Sequence, residues 1–340
     1  MSLKKIGEFG FIRRIQAGCL IRKDGVVRAI GDDAAAFRTE PGRLTLVTAD
    51  LMVERVHFLR DRICGADLGH KSLAVNLSDI AAMGGAPREA IVSLAIPDDC
   101  PLDYLDGLYE GMKKLAEEHR VNILGGDTTG SKADLMINIT VIGSVEEERM
   151  LLRNGARPGD VVCVTGAVGD SRAGLQLLLD GAAADAEPLA VLHRAHVRPA
   201  PHLREGRWLA ESGGVTAAID VSDGLSSDIG HIAEESGVGV RLYAQRIPVS
   251  GALKAYCTRF DAGDPVLWAL AGGEDYCLLC TVAAGAADAV CEGFAKFFGR
   301  PLHRIGEVVA PGVVEVIDGD GRAVPLEKTG WDHFVDSSSG

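Results

Sequence analysis

One sequence pattern recurs in this chain: an apolar run ends in glycines or other small residues, and an aspartate stands beside them. The clearest example is VNILGGDTT at 121–129, where Gly125 and Gly126 precede Asp127. A glycine pair lets the backbone turn sharply and lets a ligand approach closely, because neither residue has a Cβ. We therefore expect the strand to stop at these glycines and Asp127 to lie at its end. Taken alone, the segment is more typical of a glycine-rich turn with a solvated carboxylate.

Two further aspartates follow predicted elements in the first half of the chain. The β-branched run at 44–49 leads into Asp50. A helix predicted at 66–83 carries Asp79 on its last turns, with Asn76 on the same face. A carboxylate at that end of a helix opposes the helix dipole, so the position suits a bound cation.

Two other segments carry aspartates beside glycine or serine. Asp33 belongs to a GDDAA sequence, and Asp220 ends a strand predicted at 215–220. Ser222 and Asp223 follow that strand directly. A turn or a helix N-cap is the simpler interpretation of each segment, although two carboxylates and a hydroxyl are more than one cap needs.

If these aspartates converge, their mutual repulsion has to be relieved by cations. Ligation by oxygen alone points to Mg²⁺ or Ca²⁺. Several Mg²⁺ ions held by carboxylates are what a nucleoside triphosphate needs, because phosphoryl transfer depends on positioning and charge neutralisation. The aspartates in question are Asp33, Asp50, Asp79, Asp127, Asp220 and Asp223.

Other motifs in the sequence do not support a competing chemistry. The segment at 125–132, GGDTTGSK, is not a Walker A loop, because Lys132 follows a serine and no GK[ST] is present. Cys277 and Cys280 form a C-x-x-C within a predicted strand, which would point the two sulfurs to opposite faces. We expect free thiols there rather than zinc. His193 and His196 also have no further ligand cluster nearby, so we do not expect them to bind zinc.

Composition limits the classes of function. The net charge of −13 disfavours nucleic-acid binding. No apolar run reaches the ~18–20 residues of a membrane span, and the N-terminus lacks the apolar segment of a signal peptide. We therefore expect a cytoplasmic protein without a membrane partner. A length of 340 residues is typical of two domains.

Strands and helices are mixed in order, with neighbouring strand pairs, which favours an α+β fold over a doubly wound sheet. The polar, acidic segment GSVEEERM at 143–150 marks the domain boundary, giving domains at 1–145 and 146–340. In the second domain, a glycine turn at 166–170 joins a strand to a helix. Its backbone N–H groups could bind an anion, or the segment could be a plain βα connection.

Seven motifs together resemble those of the thiamine-monophosphate kinase family. They occur in the family's order over nearly the whole chain, and although each is ordinary alone, their combination is highly specific. They are GDDAA from Gly31, TAD from Thr48 with His57 after it, VNLSDIAAMGG from Val75, LGGDTT from Leu124, IDVSDGLSSDIGH from Ile219, GGEDY from Gly272 and GWDHF from Gly330.

The resemblance implies a two-domain fold like that of aminoimidazole-ribonucleotide synthetase. Its N-terminal α/β domain packs a mixed sheet on helices, and its C-terminal domain is an α+β sandwich. It also implies a homodimer that holds nucleotide and several Mg²⁺ ions near the dimer interface. The implied activity is phosphorylation of thiamine monophosphate to thiamine diphosphate, with ATP as co-substrate, by direct in-line transfer.

The resemblance also implies roles for individual residues. Asp127 and Asp223 would be the catalytic carboxylates. The implied Mg²⁺ ligands are Asp33, Thr48, Asp50, Asp79, Asp127, Asp220 and Asp223. The implied nucleotide contacts are Tyr109, Gly126, Asp127, Arg153 and Ser222, and the implied acceptor contacts are His57, Glu274 and Trp331. Two positions depart from the family: Ala49 stands where threonine is common, and Trp331 stands where tyrosine also occurs.

Related activities fit less well. Selenophosphate synthetase needs a reactive residue in a glycine-rich N-terminal segment, which Cys19 in QAGCLIR does not resemble. The hydrogenase-maturation relative ends in a reactive cysteine, whereas this chain ends in DSSSG. Aminoimidazole-ribonucleotide synthetase itself remains the alternative enzyme, and a non-catalytic regulator that binds nucleotide or metal is the alternative from another class.

Overall fold

The computed structural model describes residue 11 and residues 14–29, 36–182 and 186–326. The chain divides into two compact units. Unit 1 runs to Met150 and includes Val197–Leu203, and unit 2 contains Leu151–His196 and the chain from Arg204 onward. The division after Met150 falls a few residues beyond the one expected from sequence, and the return of Val197–Leu203 to unit 1 has no local sequence signal.

Unit 1 contains a four-stranded mixed sheet in the order β3-β6-β4-β5. Strand β6 pairs antiparallel with both β3 and β4, and β4 pairs parallel with β5. The elements of the unit are β1 (Val26–Arg28), β2 (Ala36–Phe37), β3 (Leu44–Val53), α1 (Gly65–Ala82), β4 (Ala86–Pro97), α2 (Leu102–His119), β5 (Asn122–Ser131), β6 (Met136–Val145) and a 3-10 turn (Glu147–Arg149).

Helices α1 and α2 pack on one face of this sheet with their backbones in close contact. Gly69 on α1 lies against the Leu108 carbonyl of α2, and Gly111 on α2 lies against the Ala66 carbonyl of α1. A Cβ at either glycine would overlap that oxygen. The glycines therefore allow the two helices to form a single tight layer over the sheet.

Unit 2 contains a seven-stranded mixed sheet in the order β13-β12-β9-β11-β7-β10-β8. Its pairs are antiparallel except β9 with β12. The elements are β7 (Val161–Val164), α3 (Asp170–Leu179), α4 (Leu189–Val197), α5 (Leu203–Ser212), β8 (Val215–Asp220), α6 (Leu225–Ser236), β9 (Gly239–Tyr243), a 3-10 turn (Ala244–Arg246), α7 (Gly251–Phe260), α8 (Pro265–Ala271), β10 (Leu278–Val282), α9 (Ala287–Phe298), β11 (His303–Val309), β12 (Val314–Ile317) and β13 (Ala323–Pro325).

Both faces of the unit 2 sheet are covered. On one face, Val162 and Leu279 belong to an apolar core that includes Ile229 of α6. On the other face lies α9, whose Phe294 meets Trp208 of α5 edge-on with ring centroids 5.6 Å apart. Alternation along each strand divides the side chains between the two layers.

The mixed sheets with packed helices confirm the α+β class predicted from the order of elements. The helix predicted at 66–83 is α1, and the strand predicted at 215–220 is β8. All eight cysteines are free thiols, and Cys277 and Cys280 lie on opposite faces of the unit 2 sheet, as expected from their spacing. Within the described residues, none of the helices combines the length and the apolarity that a membrane span requires.

Candidate functional site

In unit 1, strand β3 brings two predicted ligands to helix α1. Side chains alternate along the strand, so Thr48 and Asp50 face the helix layer while Leu51 is exposed on the opposite face. The Thr48 hydroxyl donates a hydrogen bond to Asp79 Oδ2. The Asp50 backbone N–H donates to Asn76 Oδ1 at 3.1 Å. The strand does not end at Asp50, as the sequence suggested, but continues to Val53.

The two carboxylates of this group repel each other. Burial and, after it, the neighbouring charge of Asp79 raise the pKa of Asp50 to about 7. The hydroxyl of Thr48 adds a third oxygen beside Asp79. A hydroxyl and two carboxylates that hold excess negative charge are a donor set suited to a hard divalent cation.

The expectation that the strand stops at Gly125 and Gly126 is wrong. Strand β5 continues to Ser131, with an irregularity in its pairing to β4 at Leu124. Gly126 lies against the Val92 carbonyl of β4, and a Cβ there would overlap that oxygen. The glycine is therefore required by the close approach of two strands rather than by a turn, and Asp127 lies within an edge strand, where it is exposed.

Asp127 does not join the pair formed by Asp50 and Asp79. It lies in one row of the sheet with Ser93, Asn138 and Leu51, and residues in one row project from the same face. That face is the exposed one, whereas Asp50 faces α1. Three inter-strand spacings, roughly 14 Å, also separate β5 from β3.

Two residues of unit 1 that were predicted to contact the substrates, His57 and Tyr109, contact neighbouring residues in the structure. His57 accepts a hydrogen bond at Nδ1 from the Val53 N–H at 3.0 Å, which assigns the hydrogen of a neutral ring to Nε2. Tyr109 is only 4% exposed and meets Phe11 edge-on, with centroids 5.8 Å apart. Tyr109 is therefore a core side chain, and a nucleotide could reach its ring only after Phe11 had moved.

In unit 2, three carboxylates lie together where β8 meets α6. Asp220 is the last residue of β8 and is buried, and Asp223 follows in the connecting loop. Asp228, in the first turn of α6, accepts a hydrogen bond from the Gly224 N–H at 3.0 Å. Burial and, after it, the charges of Asp220 and Asp223 raise the pKa of Asp228 to about 8. This second acidic group also suits a cation.

The interpretation of Ser222 or Asp223 as a helix N-cap is wrong. The N-cap residue of α6 is Gly224, and neither Ser222 nor Asp223 caps the helix. Asp228 reaches back to the Gly224 N–H instead. Sequence reasoning missed Asp228, although an acidic residue in the first turn after a glycine is a recognisable signal.

The GGEDY segment is tied to the same region of unit 2. The Glu274 N–H donates to the Ser222 carbonyl at 2.7 Å, and the Tyr276 N–H donates to the Val221 carbonyl at 2.8 Å. Glu274 has a φ of +62°, an uncommon conformation for a residue with a side chain. Two motifs more than 50 residues apart in the sequence thus form one backbone-linked loop pair.

A buried histidine holds the Glu274 side chain. His196 Nδ1 lies 3.4 Å from Glu274 Oε2 and 3.1 Å from the Ser171 hydroxyl. His196 is 4% exposed, so its contacts are made away from bulk water. The sequence indicated only that His196 is not a zinc ligand, and no local spacing indicates its contact with Glu274.

The possible anion site at the start of α3 is occupied by the chain itself. Asp275 accepts hydrogen bonds from the N–H groups of Gly169 at 2.6 Å and Ser171 at 3.2 Å. A carboxylate at a helix N-terminus satisfies N–H groups that have no partner within the helix. The glycine turn is therefore a structural connection closed by Asp275.

Asp275 gives the protein a pH-dependent stability. Burial raises its pKa to about 8, although the N–H groups of Gly169 and Ser171 lower it. In an unfolded chain the pKa is about 3.9, so between the two values the folded protein binds a proton that the unfolded chain does not. This stabilisation is complete below about pH 4 and is lost as the pH rises through about 8. We expect Asp275→Asn to flatten the fall in melting temperature between about pH 4 and 8; parallel curves for both proteins would contradict this.

The remaining predicted positions do not form a group. Arg153 is exposed, with Nη1 4.0 Å from Glu235 Oε1. Asp33 and Trp331 lie outside the described residues. In the part of the chain that the structure describes, no three His, Cys, Asp or Glu side chains are grouped closely enough to hold a metal ion as they stand. Within unit 1, Asp50 and Asp79 form one acidic group, and within unit 2, Asp220, Asp223 and Asp228 form another.

Comparison with protein families identifies the fold. The family described as "AIR synthase related protein, N-terminal domain" matches residues 31–145. The family described as "AIR synthase related protein, C-terminal domain" matches residues 157–319. The two matches together span well over half of the chain, which therefore belongs to the AIR synthase related family.

Comparison with individual proteins narrows this class. The thiamine-monophosphate kinase of Aquifex aeolicus (strain VF5) is 38% identical over 339 residues, covering 98% of this chain and 100% of the relative. The crystal structure of thiamine-monophosphate kinase from Stenotrophomonas maltophilia K279a is 37% identical and covers 94% and 98% of the two chains, with a TM-score of 0.82. A structure described as "AaThiL complexed with AMPPCP and TMP" is 34% identical and covers 98% and 99%, with a TM-score of 0.77. Within the AIR synthase related proteins, the chain belongs to the thiamine-monophosphate kinase family.

Proposed function

We propose that this protein is an ATP-dependent kinase that phosphorylates thiamine monophosphate to thiamine diphosphate. The observation that carries the proposal is the similarity to thiamine-monophosphate kinases over the full length of the chain. A relative of the same family has been solved with AMPPCP and TMP, so a nucleotide analogue and the acceptor bind that protein together. The two acidic groups, one in each unit, suit the divalent cations that such a pair of polyanions requires.

Magnesium fits the donor atoms present in both units. In unit 1, Thr48, Asp50 and Asp79 offer a hydroxyl and two carboxylates, and in unit 2, Asp220 and Asp223 offer two more carboxylates. When bound, Mg²⁺ supplies neutralisation of phosphate charge and orientation of the phosphate oxygens. We assign the ligand role to Asp33, Thr48, Asp50, Asp79, Asp127, Asp220 and Asp223.

Nucleotide contacts are assigned to the exposed part of β5 and to unit 2. Gly126 brings the β5 backbone to the surface without a side chain, and Asp127 follows it. Arg153 is an exposed cation that can pair with phosphate. Ser222 is assigned a further nucleotide contact, through its hydroxyl. Tyr109, which the resemblance also assigns to the nucleotide, is buried and packs edge-on against Phe11.

Acceptor contacts are assigned to His57, Glu274 and Trp331. The thiazolium ring of thiamine is cationic, so a carboxylate such as Glu274 complements it electrostatically. Glu274 is held by the Ser222 carbonyl at its N–H and by His196 at its side chain. These two contacts restrict the position of the Glu274 carboxylate, so that it is oriented before the substrate binds.

The proposed reaction is a direct in-line transfer. An oxygen of the acceptor phosphate attacks the γ-phosphorus of ATP, the bond to the ADP oxygen breaks, and ADP leaves with the electron pair. The acceptor phosphate is already ionised near neutral pH, so no general base is needed. Asp127 and Asp223 act as the catalytic carboxylates, because they would hold the cations whose charge keeps the two phosphate groups aligned.

The free thiols favour a reducing compartment. Cysteines 19, 64, 100, 163, 257, 277, 280 and 291 carry no disulfide. Stable disulfides are typical of secreted proteins and rare in the cytosol. We therefore place the protein in the cytoplasm.

An assay of ADP release tests the proposed activity. With Mg²⁺ and ATP, ADP should form when thiamine monophosphate is added and not without an acceptor. Formylglycinamidine ribonucleotide, the acceptor of aminoimidazole-ribonucleotide synthetase, serves as the matched control. ADP formation with that compound alone would establish the alternative enzyme, and ADP formation with neither would favour a binding protein.

We propose that the protein forms a homodimer whose interface is the exposed face of the unit 1 sheet. Val47 and Leu51 on β3 are 66% and 52% exposed there, although both are large apolar side chains. Apolar side chains clustered on an uncovered sheet face are typical of an interface between chains. Asp127 projects from the same face, so a second copy packed there would lie beside it.

We expect Leu51→Lys to shift the protein from dimer to monomer, because a buried lysine would have no partner in the interface. The measurement is molar mass in solution by light scattering after size exclusion. Leu267→Lys is the matched control, since Leu267 is 63% exposed on α8 of unit 2. A wild-type protein with the mass of one chain, or a Leu51→Lys variant that stays dimeric, would contradict the proposed interface.

A further inference from the structure

Two thiols and an arginine meet on the face of the unit 2 sheet that α9 covers. Cys163 on β7 lies directly opposite Arg304 on β11 and Cys280 on β10, so the three side chains project from one face. Cys291 on α9 lies over them. Its sulfur accepts a hydrogen bond from Arg304 Nε at 3.2 Å and lies beside the Cys163 thiol.

Arg304 is held in place by α9. Its Nη2 donates to the Ala287 carbonyl at 3.0 Å and to Asp288 Oδ1 at 2.7 Å, while its Nε donates to Cys291. The guanidinium therefore cannot swing away from the sulfur without losing two further hydrogen bonds. A fixed cation beside a partly exposed sulfur is the environment of a reactive cysteine.

The groups around the two thiols shift their pKa values in opposite directions. The neighbouring Cys163 thiol and the N–H and charge of Arg304 together lower the pKa of Cys291 to about 6, against the opposing effects of burial and Asp288. Its hydrogen bond to Cys291, burial and the nearby Cys280 raise the pKa of Cys163. Cys291 is therefore the thiolate near neutral pH, and Cys163 remains a thiol that can donate its proton.

We propose that Cys291 is a peroxide-reactive site whose oxidation is resolved by Cys163, giving a disulfide between α9 and β7. The Cys291 thiolate attacks one oxygen of a hydroperoxide, the O–O bond breaks, and the leaving oxygen takes a proton to form water or an alcohol. The Cys163 sulfur then loses its proton and attacks the Cys291 sulfenic acid, which releases water. The two sulfurs together lose two electrons, and the peroxide gains them.

Exposure and ionisation coincide at Cys291 and at none of the other seven cysteines. Cys64 is more exposed, but burial and its contact with Asp67 raise its pKa. The pKa is likewise raised at Cys19, Cys100, Cys163, Cys257, Cys277 and Cys280, with burial a main cause at each. A peroxide should therefore select Cys291, and Cys64 provides an internal control for simple accessibility.

The test treats the full, reduced chain with hydrogen peroxide and follows it by intact mass and peptide mapping. The expected product has lost two hydrogen atoms and contains a Cys163–Cys291 cross-linked peptide. Cys291→Ser should abolish the cross-link, and Cys64→Ser should leave it unchanged. Oxidation that occurs first at Cys64, or a product without the cross-link, would overturn the proposal.

A second measurement needs no variant in the core. Iodoacetamide should label Cys291 of the folded wild-type chain about tenfold faster than Cys64 near pH 6.5, because alkylation follows the thiolate fraction. Arg304→Gln should reduce that difference about tenfold, since the neutral amide no longer stabilises the thiolate. Equal labelling of Cys64 and Cys291, or a rate at Cys291 that Arg304→Gln leaves unchanged, would refute the reactive thiol.

Discussion

Replacing Asp127 or Asp223 with asparagine is expected to lower kcat/KM for thiamine monophosphate by about 100-fold or more. The amide keeps the shape of the side chain but removes the negative charge that would hold a cation beside the transferring phosphoryl group. Asp127 is exposed, and Asp223 lies close enough to Asp228 for its negative charge to raise the pKa of that carboxyl. Initial rates of ADP release at saturating ATP measure the effect.

The control for these variants is Asp103→Asn, which makes the same chemical change at an exposed position on α2. Its rate should equal that of the wild-type protein. The melting temperatures of all three variants should stay close to that of the wild type, which separates a loss of chemistry from a loss of fold. Near-normal turnover in both Asp127→Asn and Asp223→Asn would show that these carboxylates are not catalytic.

Elements with a strong local pattern could be predicted from the sequence. Helix α2 occupies residues 102–119, where buried leucines repeat at helical spacing and His119 precedes a left-handed cap at Arg120. Strand β8 ends at Asp220, as its β-branched and apolar residues indicated. In both cases neighbouring residues along the chain contain the information that defines the element.

The path of β5 could not be predicted, because its cause lies on another strand. Two glycines before an aspartate are typical of a turn, and nothing between 121 and 129 indicates that the Val92 carbonyl will lie against Gly126. Contacts between distant residues also explain why Asp127 lies apart from Asp50 and Asp79. Spacing along the chain identified Asp50, Asp79 and Asp127, but the face from which each side chain projects depends on the register of four strands.

Support for the candidate site also comes from contacts across long stretches of chain. Asp275 binds the Gly169 N–H from 106 residues away, and Ser171 meets His196 across 25 residues. Such pairs leave no periodic signal, since each partner looks like an ordinary polar residue in its own segment. Asp228 differs, because its bond to Gly224 spans four residues and could have been inferred from the first turn of a helix.

Substituting Gly126 with alanine is expected to destabilise unit 1 by about 2–4 kcal/mol. The new Cβ would overlap the Val92 carbonyl oxygen, which belongs to the backbone of β4 and cannot rotate away. The strands must therefore separate, and the backbone at residue 126, with a φ of +156°, is strained for any residue with a side chain. Urea unfolding followed by circular dichroism should show a lower midpoint.

The neighbouring Gly125→Ala provides the matched control. It adds the same methyl group one residue earlier on β5, where no atom lies within 4 Å of the new Cβ. Its unfolding midpoint should stay close to that of the wild type, because the added atom meets open space and loses no hydrogen bond. Equal midpoints for Gly126→Ala and Gly125→Ala would mean that β4 and β5 do not approach as closely as described. If only Gly126→Ala is destabilised, packing between strands requires the second glycine of LGGDTT independently of any role in binding nucleotide.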